Sequence, residues 1–347
     1  MTALVWNSKG QLDVRGSLVA DGTLELYARK AGQSQRFPDF IIGGAPKCGT
    51  TSLHFILDQH ASIGMPEAEI HFFDADDPIT HNDFIYRKKG DLIWFNPSPD
   101  TDASREWYAS RFEPFRDLPL VGEDSTTYIF SDVAAARIAD MLPTVKLVFM
   151  LRNPVKRAWS QYWHMANSAR TSLSFEAALT RFPNLILGST YTPNLLRFFE
   201  VFPREQIKIV LFEDFIADQQ GTLNEVTQFL DVPDMVIDPD KSWFNKTGYA
   251  PSHRVQRALN LIGRPIVRRR YRSHMSQQRQ LTLGEKINNK IHHVFFTRIY
   301  RPYLTADHPP DMREATRDYL TQHLTHRNSG LSDLIGRDLK ALWGLDV

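Results

Sequence analysis

Four stretches of this chain are apolar at nearly every position and are bounded by turn-forming residues: Phe40-Ile41-Ile42-Gly43, Leu120-Val121-Gly122, Lys146 to Leu151 and Ile207 to Phe212. Unbroken apolar runs of this length predict strands buried on both faces, as in a parallel sheet covered by helices. Leu53, Ile56 and Leu57 follow the first run at helical spacing, so strand gives way to amphipathic helix. The expected fold is α/β, a parallel central sheet flanked by helices over residues 37–347. Residues 1–36 differ: short alternating stretches, Leu12-Asp13-Val14 and Thr23 to Tyr27, separated by glycine-bearing turns, predict a small β-rich extension.

The stretch from Asp74 to Asp117 is rich in Asp, Pro and aromatic residues and is too long for an ordinary connection, so it reads as an insertion. Phe84, Tyr86, Trp94, Phe95, Trp107 and Tyr108 offer faces for sugar rings or a lipid groove. A packed surface excursion with short helices is the competing reading, and both remain open.

Composition narrows the function classes. With 347 residues, 42% of them hydrophobic, the chain can bury a large core. Its 41 Lys and Arg nearly cancel 40 Asp and Glu, so no overall field recruits nucleic acid, and any charge argument is local. Cys48 is the only cysteine, which excludes an intrachain disulfide and a cysteine-built zinc site. No apolar run of membrane-spanning length occurs, and Met1 to Gly10 lacks the basic-then-apolar order of a signal peptide. The expectation is a cytoplasmic protein, with membrane contact from the inside left open.

The strongest local signal is Gly43-Gly44-Ala45-Pro46-Lys47-Cys48-Gly49-Thr50-Thr51-Ser52-Leu53, a glycine-rich turn between a strand and a helix start. Such a turn aims main-chain N–H groups at one point and favours an anion there. The hydroxyls of Thr50, Thr51 and Ser52 add donors, and Lys47 adds charge. This is not the G-x-x-x-x-G-K-[ST] loop of nucleotide triphosphatases, because Lys47 precedes Gly49 by two positions instead of following it. A second element, Arg152-Asn153-Pro154-Val155-Lys156-Arg157-Ala158-Trp159-Ser160-Gln161-Tyr162, ends the third apolar run. Pro154 suits a first helical turn, which puts Arg152 at the carboxyl edge of a strand and Ser160 about two turns into a helix.

Together these strings resemble the PAPS-dependent sulfotransferases (PAPS, 3′-phosphoadenosine-5′-phosphosulfate). In that family the first is the P-loop-like 5′-phosphosulfate loop and the second binds the 3′-phosphate. The resemblance continues through Gly122 to Tyr128, and through Tyr191, Phe199 and Phe202-Pro203. It points to the branch that modifies glycans, heparan-type enzymes included, with bacterial relatives. It implies contacts to PAPS, or to the product 3′-phosphoadenosine-5′-phosphate (PAP), from Lys47, Cys48, Gly49, Thr50, Thr51, Ser52, Arg152 and Ser160. Lys246, in Asn245-Lys246-Thr247-Gly248, stands where relatives carry a basic loop that closes over the nucleotide.

Pro66-Glu67-Ala68-Glu69-Ile70-His71-Phe72-Phe73 resembles the family's K-E-x-x-F-F segment, whose glutamate is the proposed general base. The match puts that role on Glu69 and an alanine, Ala68, where lysine is common. His71 is the competing base, since imidazole has an intrinsic pKa suited to proton transfer near neutrality. Phe72 and Phe73 read as core. No metal is expected, because lysine, arginine and helix-terminus donors already supply the positive field, and the histidines show no metal-ligand spacing. The implied acceptor is a glycan, glycolipid or lipid alcohol.

From Ser252 to Arg279 there are eight arginines and no acidic residue, with Val255, Leu259, Ile262 and Ile266 near one helical face and Pro265 placed to bend or interrupt the helix. Anionic lipid, an acidic glycan, the 3′-phosphate and a merely solvated face all remain open as its partners. Two other functions compete for the whole chain: a small-molecule kinase built on the same strand, loop and helix, and a non-catalytic PAP-binding protein.

Overall fold

The computed structural model describes residues 35–81, 85–93, 101–238, 249–274, 282–306 and 308–347, together with two strands near the start, β1 (Leu4–Trp6) and β2 (Leu12–Val14). Those two pair antiparallel, in keeping with a β-rich beginning, while the predicted strand at Thr23–Tyr27 lies outside the described residues.

The centre of the molecule is a five-stranded sheet. It comprises β3 (Phe40–Gly44), β4 (Ile63–Gly64), β7 (Leu120–Asp124), β8 (Lys146–Leu151) and β9 (Ile207–Leu211) in the order β4-β7-β3-β8-β9. Every neighbouring pair is parallel, as the continuous apolar runs predict. Register is set by shape as well as pattern: Phe40 pairs with Gly122, and its ring fills the space that a side chain at 122 would need. The two-residue strand β4 was not predicted, because a pair of residues carries no periodicity. The last predicted strand stops one residue early, since Phe212 opens the helix Phe212–Ala217.

Helices Thr50–Leu57 and Gln219–Phe229 pack against this sheet, and Pro154–Asn167 builds a second apolar cluster with Glu314–Arg327 around Tyr162, Trp163, Leu320 and Leu324. Within the insertion, β5 (Tyr86–Lys88) and β6 (Asp91–Ile93) form a hairpin, and the helix Asp102–Ser110 follows. Tyr108 on that helix is fully buried, stacked on Phe72 at 4.3 Å and set edge-on to Phe112 at 5.1 Å. This ring is core and not an acceptor platform; Phe84, Trp94 and Phe95 lie outside the described residues.

The basic segment forms the helix His253–His274, paired with Leu283–Val294; residues 275–281 lie outside the described residues. Two expectations are corrected. Pro265 does not end the helix: it sits on the exposed side, where water can satisfy the carbonyl that lost its N–H partner. Val255 and Ile262 do not face inward, and the buried positions are Gln256, Asn260, Gly263 and Val267.

One buried charge yields a stability prediction. Glu123, the penultimate residue of β7, is completely buried beside the hydroxyls of Tyr128 and Tyr108, and burial pushes its carboxyl up to about 7. A carboxyl whose folded pKa exceeds its unfolded value of 4.5 loses stability as pH rises through that interval, because the unfolded chain releases its proton first. The cost above pH 7 is about 3 kcal/mol. Glu123→Gln keeps shape and removes the ionisation. Denaturant unfolding at pH 5 and pH 8 should show the variant gaining about 2.5 kcal/mol relative to the parent on going to the higher pH. An equal difference at both values would mean that Glu123 ionises without penalty.

Candidate active site

Three strand ends converge on one edge of the sheet. β3 runs into the glycine loop, β7 into Ser125–Thr127 and β8 into Arg152. Because β7 and β8 lie on opposite sides of β3, the chain leaves the centre in two directions and opens a crevice at the carboxyl ends.

The loop is shaped by two left-handed glycines. Gly44 has φ 134° and Gly49 φ 93°, and a Cβ at 49 would lie 2.9 Å from the Phe212 ring. Lys47 adopts φ 71° without being glycine, a strained conformation that the surrounding contacts must hold. Those contacts come from the second motif. Arg152 Nη1 donates to Lys47 O at 3.3 Å, and Arg157 Nη1 donates to Pro46 O at 3.5 Å. With carbonyls turned back toward the arginines, the N–H groups of Lys47, Gly49, Thr50 and Thr51 have no main-chain acceptor among the described residues. They gather at the start of the helix Thr50–Leu57, the geometry of an anion cradle.

The cradle is electropositive. Burial, followed by the charge of Arg152, lowers the Lys47 amine from its usual pKa. Arg152 lies 4.6 Å over the Phe212 ring, its backbone carbonyl accepts from Tyr191 Oη at 2.7 Å, and its Nε has no hydrogen-bond partner among the described residues. Arg157, not singled out from the sequence, is fully buried. Ser189 Oγ accepts from its Nε at 2.7 Å, and the carbonyls of Asn184 and Leu185 accept from its Nη2. Its role is to hold the loop from behind. Ser160 is half-buried two turns along the helix Pro154–Asn167. One turn further, His164 stands exposed on the same helix.

Thr50 and Ser52 are buried at the helix start, and Thr51 is half-buried. Cys48 brings backbone only: its N–H bonds Ala45 O, and its buried thiol lies 3.9 Å from Tyr191 Oη, with burial pushing it up to about 11. Lys246 lies outside the described residues.

Glu69 and His71 meet above β7. His71 Nε2 is 2.9 Å from Glu69 Oε2, and Thr126 Oγ1 donates to Glu69 Oε1 at 3.0 Å, so both carboxylate oxygens are fixed while the side chain keeps 39% exposure. Desolvation alone would push the Glu69 carboxyl up; the hydrogen bond and charge of His71, with Thr126, hold it below the ordinary range. Burial likewise opposes the charged form of His71, but Glu69 and then Asp74 raise it. The pair is an ionised carboxylate against an imidazolium. Glu69 is close enough for its charge to act on Lys47.

Behind His71 the chain assembles a group that spacing did not reveal. His81 Nε2 is 2.9 Å from the fully buried Asp74 Oδ1, His71 Nδ1 is 3.1 Å from Thr127 Oγ1, and the ligand atoms of His71, Asp74 and His81 lie within 4.8 Å of one another. These contacts fix the ring that orients Glu69. His71 also has φ 53°, a second strained residue at this edge. Asp124 is the last residue of β7. It is buried 3.5 Å from His54, and burial pushes its carboxyl up to about 6.

Residues 38–236 of the chain match the Sulfotransferase family. The chain belongs to that family. Among curated proteins this sulfotransferase is similar to human heparan sulfate glucosamine 3-O-sulfotransferase 3A1. The two are 29% identical over 246 residues, which is 67% of this chain and 53% of the relative. It is also 25% identical over 216 residues to human bifunctional heparan sulfate N-deacetylase/N-sulfotransferase 2, covering 57% of this chain and 22% of that protein. The sulfotransferase thus spans about half or less of these relatives. A solved sulfotransferase from Alicyclobacillus acidocaldarius is 29% identical and covers 71% of this chain and 98% of its own, with a TM-score of 0.48. The resemblance to a family with heparan-type members, drawn from the motifs, is borne out.

Proposed function

We propose that this sulfotransferase moves the sulfuryl group of PAPS to a hydroxyl or amino group on a glycan or glycolipid. The observation that carries the reading is the juxtaposition at one sheet edge of an anion cradle bearing Lys47 and a carboxylate, Glu69, held by two fixed donors. The unpartnered Arg152 Nε, the free loop N–H groups and the half-buried Ser160 fit a nucleotide with phosphate at both ends. The names of the similar curated proteins place their acceptors in heparan sulfate, which supports a glycan here.

In this mechanism Glu69 takes the proton as the acceptor atom attacks sulfur, and the new bond to sulfur forms opposite the one that breaks. The electrons of the broken bond pass to the bridging oxygen, which leaves with the 5′-phosphate. Lys47 and the loop N–H groups stabilise the charge growing there, as donors do in phosphoryl transfer. His71 keeps Glu69 ionised and aimed. Lys47, Arg152 and the helix start supply positive charge at the leaving oxygen without a metal, and a chelator is expected to leave turnover unchanged.

Calorimetric titration with PAP, beside ATP with Mg²⁺ at the same salt, tests the assignment. PAP should bind and ATP should give little heat. A preference for ATP would restore the kinase reading.

A further inference from the structure

The hairpin of helices His253–His274 and Leu283–Val294 buries both apolar and polar side chains: Val267, with Leu259 and Ile266 half-buried, packs against Ala169, Phe295 and Tyr300. Gln256 and Asn260 are buried; Asn260 Nδ2 donates to the carbonyls of Ala166 at 2.8 Å and Thr171 at 2.7 Å, and Gln256 Nε2 donates to Tyr300 Oη at 3.2 Å. Outward stand Val255, Leu261 and Ile262 on the first helix. On the second, Leu283, Ile287, Ile291 and Val294 are 44–76% exposed, and their spacing of four, four and three residues makes one stripe. Scattered exposed apolar residues need no explanation, but a stripe on an amphipathic helix does.

Charge indicates what covers it. Residues 252–303 hold ten arginines and two lysines against one acidic residue, Glu285, which is spent on a capping box with Thr282. Arg254, Arg264, Arg268, Arg269, Lys286 and Lys290 are exposed around the apolar positions.

We propose that this hairpin docks the protein on a bilayer with anionic headgroups, its apolar stripe in the interfacial layer and its cations at the lipid phosphates. An acidic glycan would engage the arginines but would gain nothing from Leu283, Ile287 and Ile291, whereas a bilayer uses both features. Among the described residues no helix is long and apolar enough to cross a membrane, so the contact lies on the surface. The hairpin also touches the active-site helix, because His253 Nε2 is 2.5 Å from Tyr162 Oη, two residues after Ser160.

The test is co-sedimentation of the full chain with phosphatidylcholine vesicles, with and without phosphatidylglycerol. The parent should bind the anionic vesicles and release in high salt. Leu283→Ser/Ile287→Ser/Ile291→Ser, three exposed positions, should weaken binding by about tenfold or more, and so should Arg268→Glu/Arg269→Glu. Failure of the parent to sediment with anionic vesicles would overturn the proposal. So would a serine triple variant that binds like the parent, which would leave a purely electrostatic surface suited to a polyanionic glycan. Neither PAPS nor an acceptor enters the assay, so its result is independent of the reaction proposed for the crevice.

Discussion

Glu69→Gln is expected to lower kcat by about 10²–10⁴-fold and to leave PAP binding intact, the range for removal of a general base whose shape is kept. Glutamine can still hydrogen-bond Thr126 and His71, so the site stays assembled; only the capacity to accept a proton goes. The same substitution separates the two candidate bases. His71 is held above its usual pKa first by Glu69, against the opposing effect of burial. Without that carboxylate the imidazole reverts toward its neutral form and becomes a better base. Turnover of labelled PAPS with a desulfated heparan oligosaccharide that survives Glu69→Gln would therefore assign the proton transfer to His71. In the parent, the depressed Glu69 pKa keeps the base ionised through mildly acidic pH, so the acid limb of kcat/KM should fall below about 4.5.

Lys47→Ala should cost about 10²–10³-fold in kcat, comparable to removal of a donor that meets charge developing in a transition state. PAP affinity should drop roughly 10–100-fold as well, since a hydrogen bond to a charged group contributes about 1.5–3 kcal/mol. The two losses distinguish Lys47 from Glu69, which acts on rate alone. Backbone strain does not confuse the comparison. Alanine at φ 71° carries the same Cβ as lysine, so the left-handed conformation is equally costly in both. Calorimetry with PAP reads the affinity, and turnover under saturating PAPS reads the rate. Undiminished PAP binding in Lys47→Ala would move the 5′-phosphate away from this loop.

Much of this site is legible in the chain because its parts are local. A glycine turn after an apolar run, a proline two residues beyond a strand-end arginine and a glutamate before two phenylalanines are each contained within a dozen residues. Their chemistry follows from main-chain geometry and charge. What escaped were relationships across the fold. Arg157 reads as one more basic residue of a helix, yet it is buried and holds Pro46, 111 positions away. His81 and Asp74 show no metal-like or relay-like spacing, yet they meet His71 because successive turns, Ala75 N–H to His71 O and His81 N–H to Asp77 O, fold this stretch back on itself. Tyr108 looked like an exposed aromatic in an irregular stretch, and only packing against Phe72 and Phe112 reveals it as core.

The basic helix shows the same limit from the other side. Apolar periodicity normally marks the buried face, because burial is the usual way to remove apolar surface from water. Here Asn260 and Gln256 find carbonyl and hydroxyl partners inside, beside Leu259 and Ile266, while Val255 and Ile262 of the apolar line are left outside.

By itself the amino-acid sequence determined the parallel α/β fold, a glycine loop with the shape of an anion cradle and the pairing of that loop with a nearby Glu69 as the proposed base, since strand burial, glycine geometry and side-chain charge act over short distances. The tertiary structure alone decided which arginine braces the loop, which groups hold Glu69 ionised and which face of the basic hairpin meets its surroundings. Each of these depends on distances between segments far apart in the chain, and only the packing of the whole core sets them.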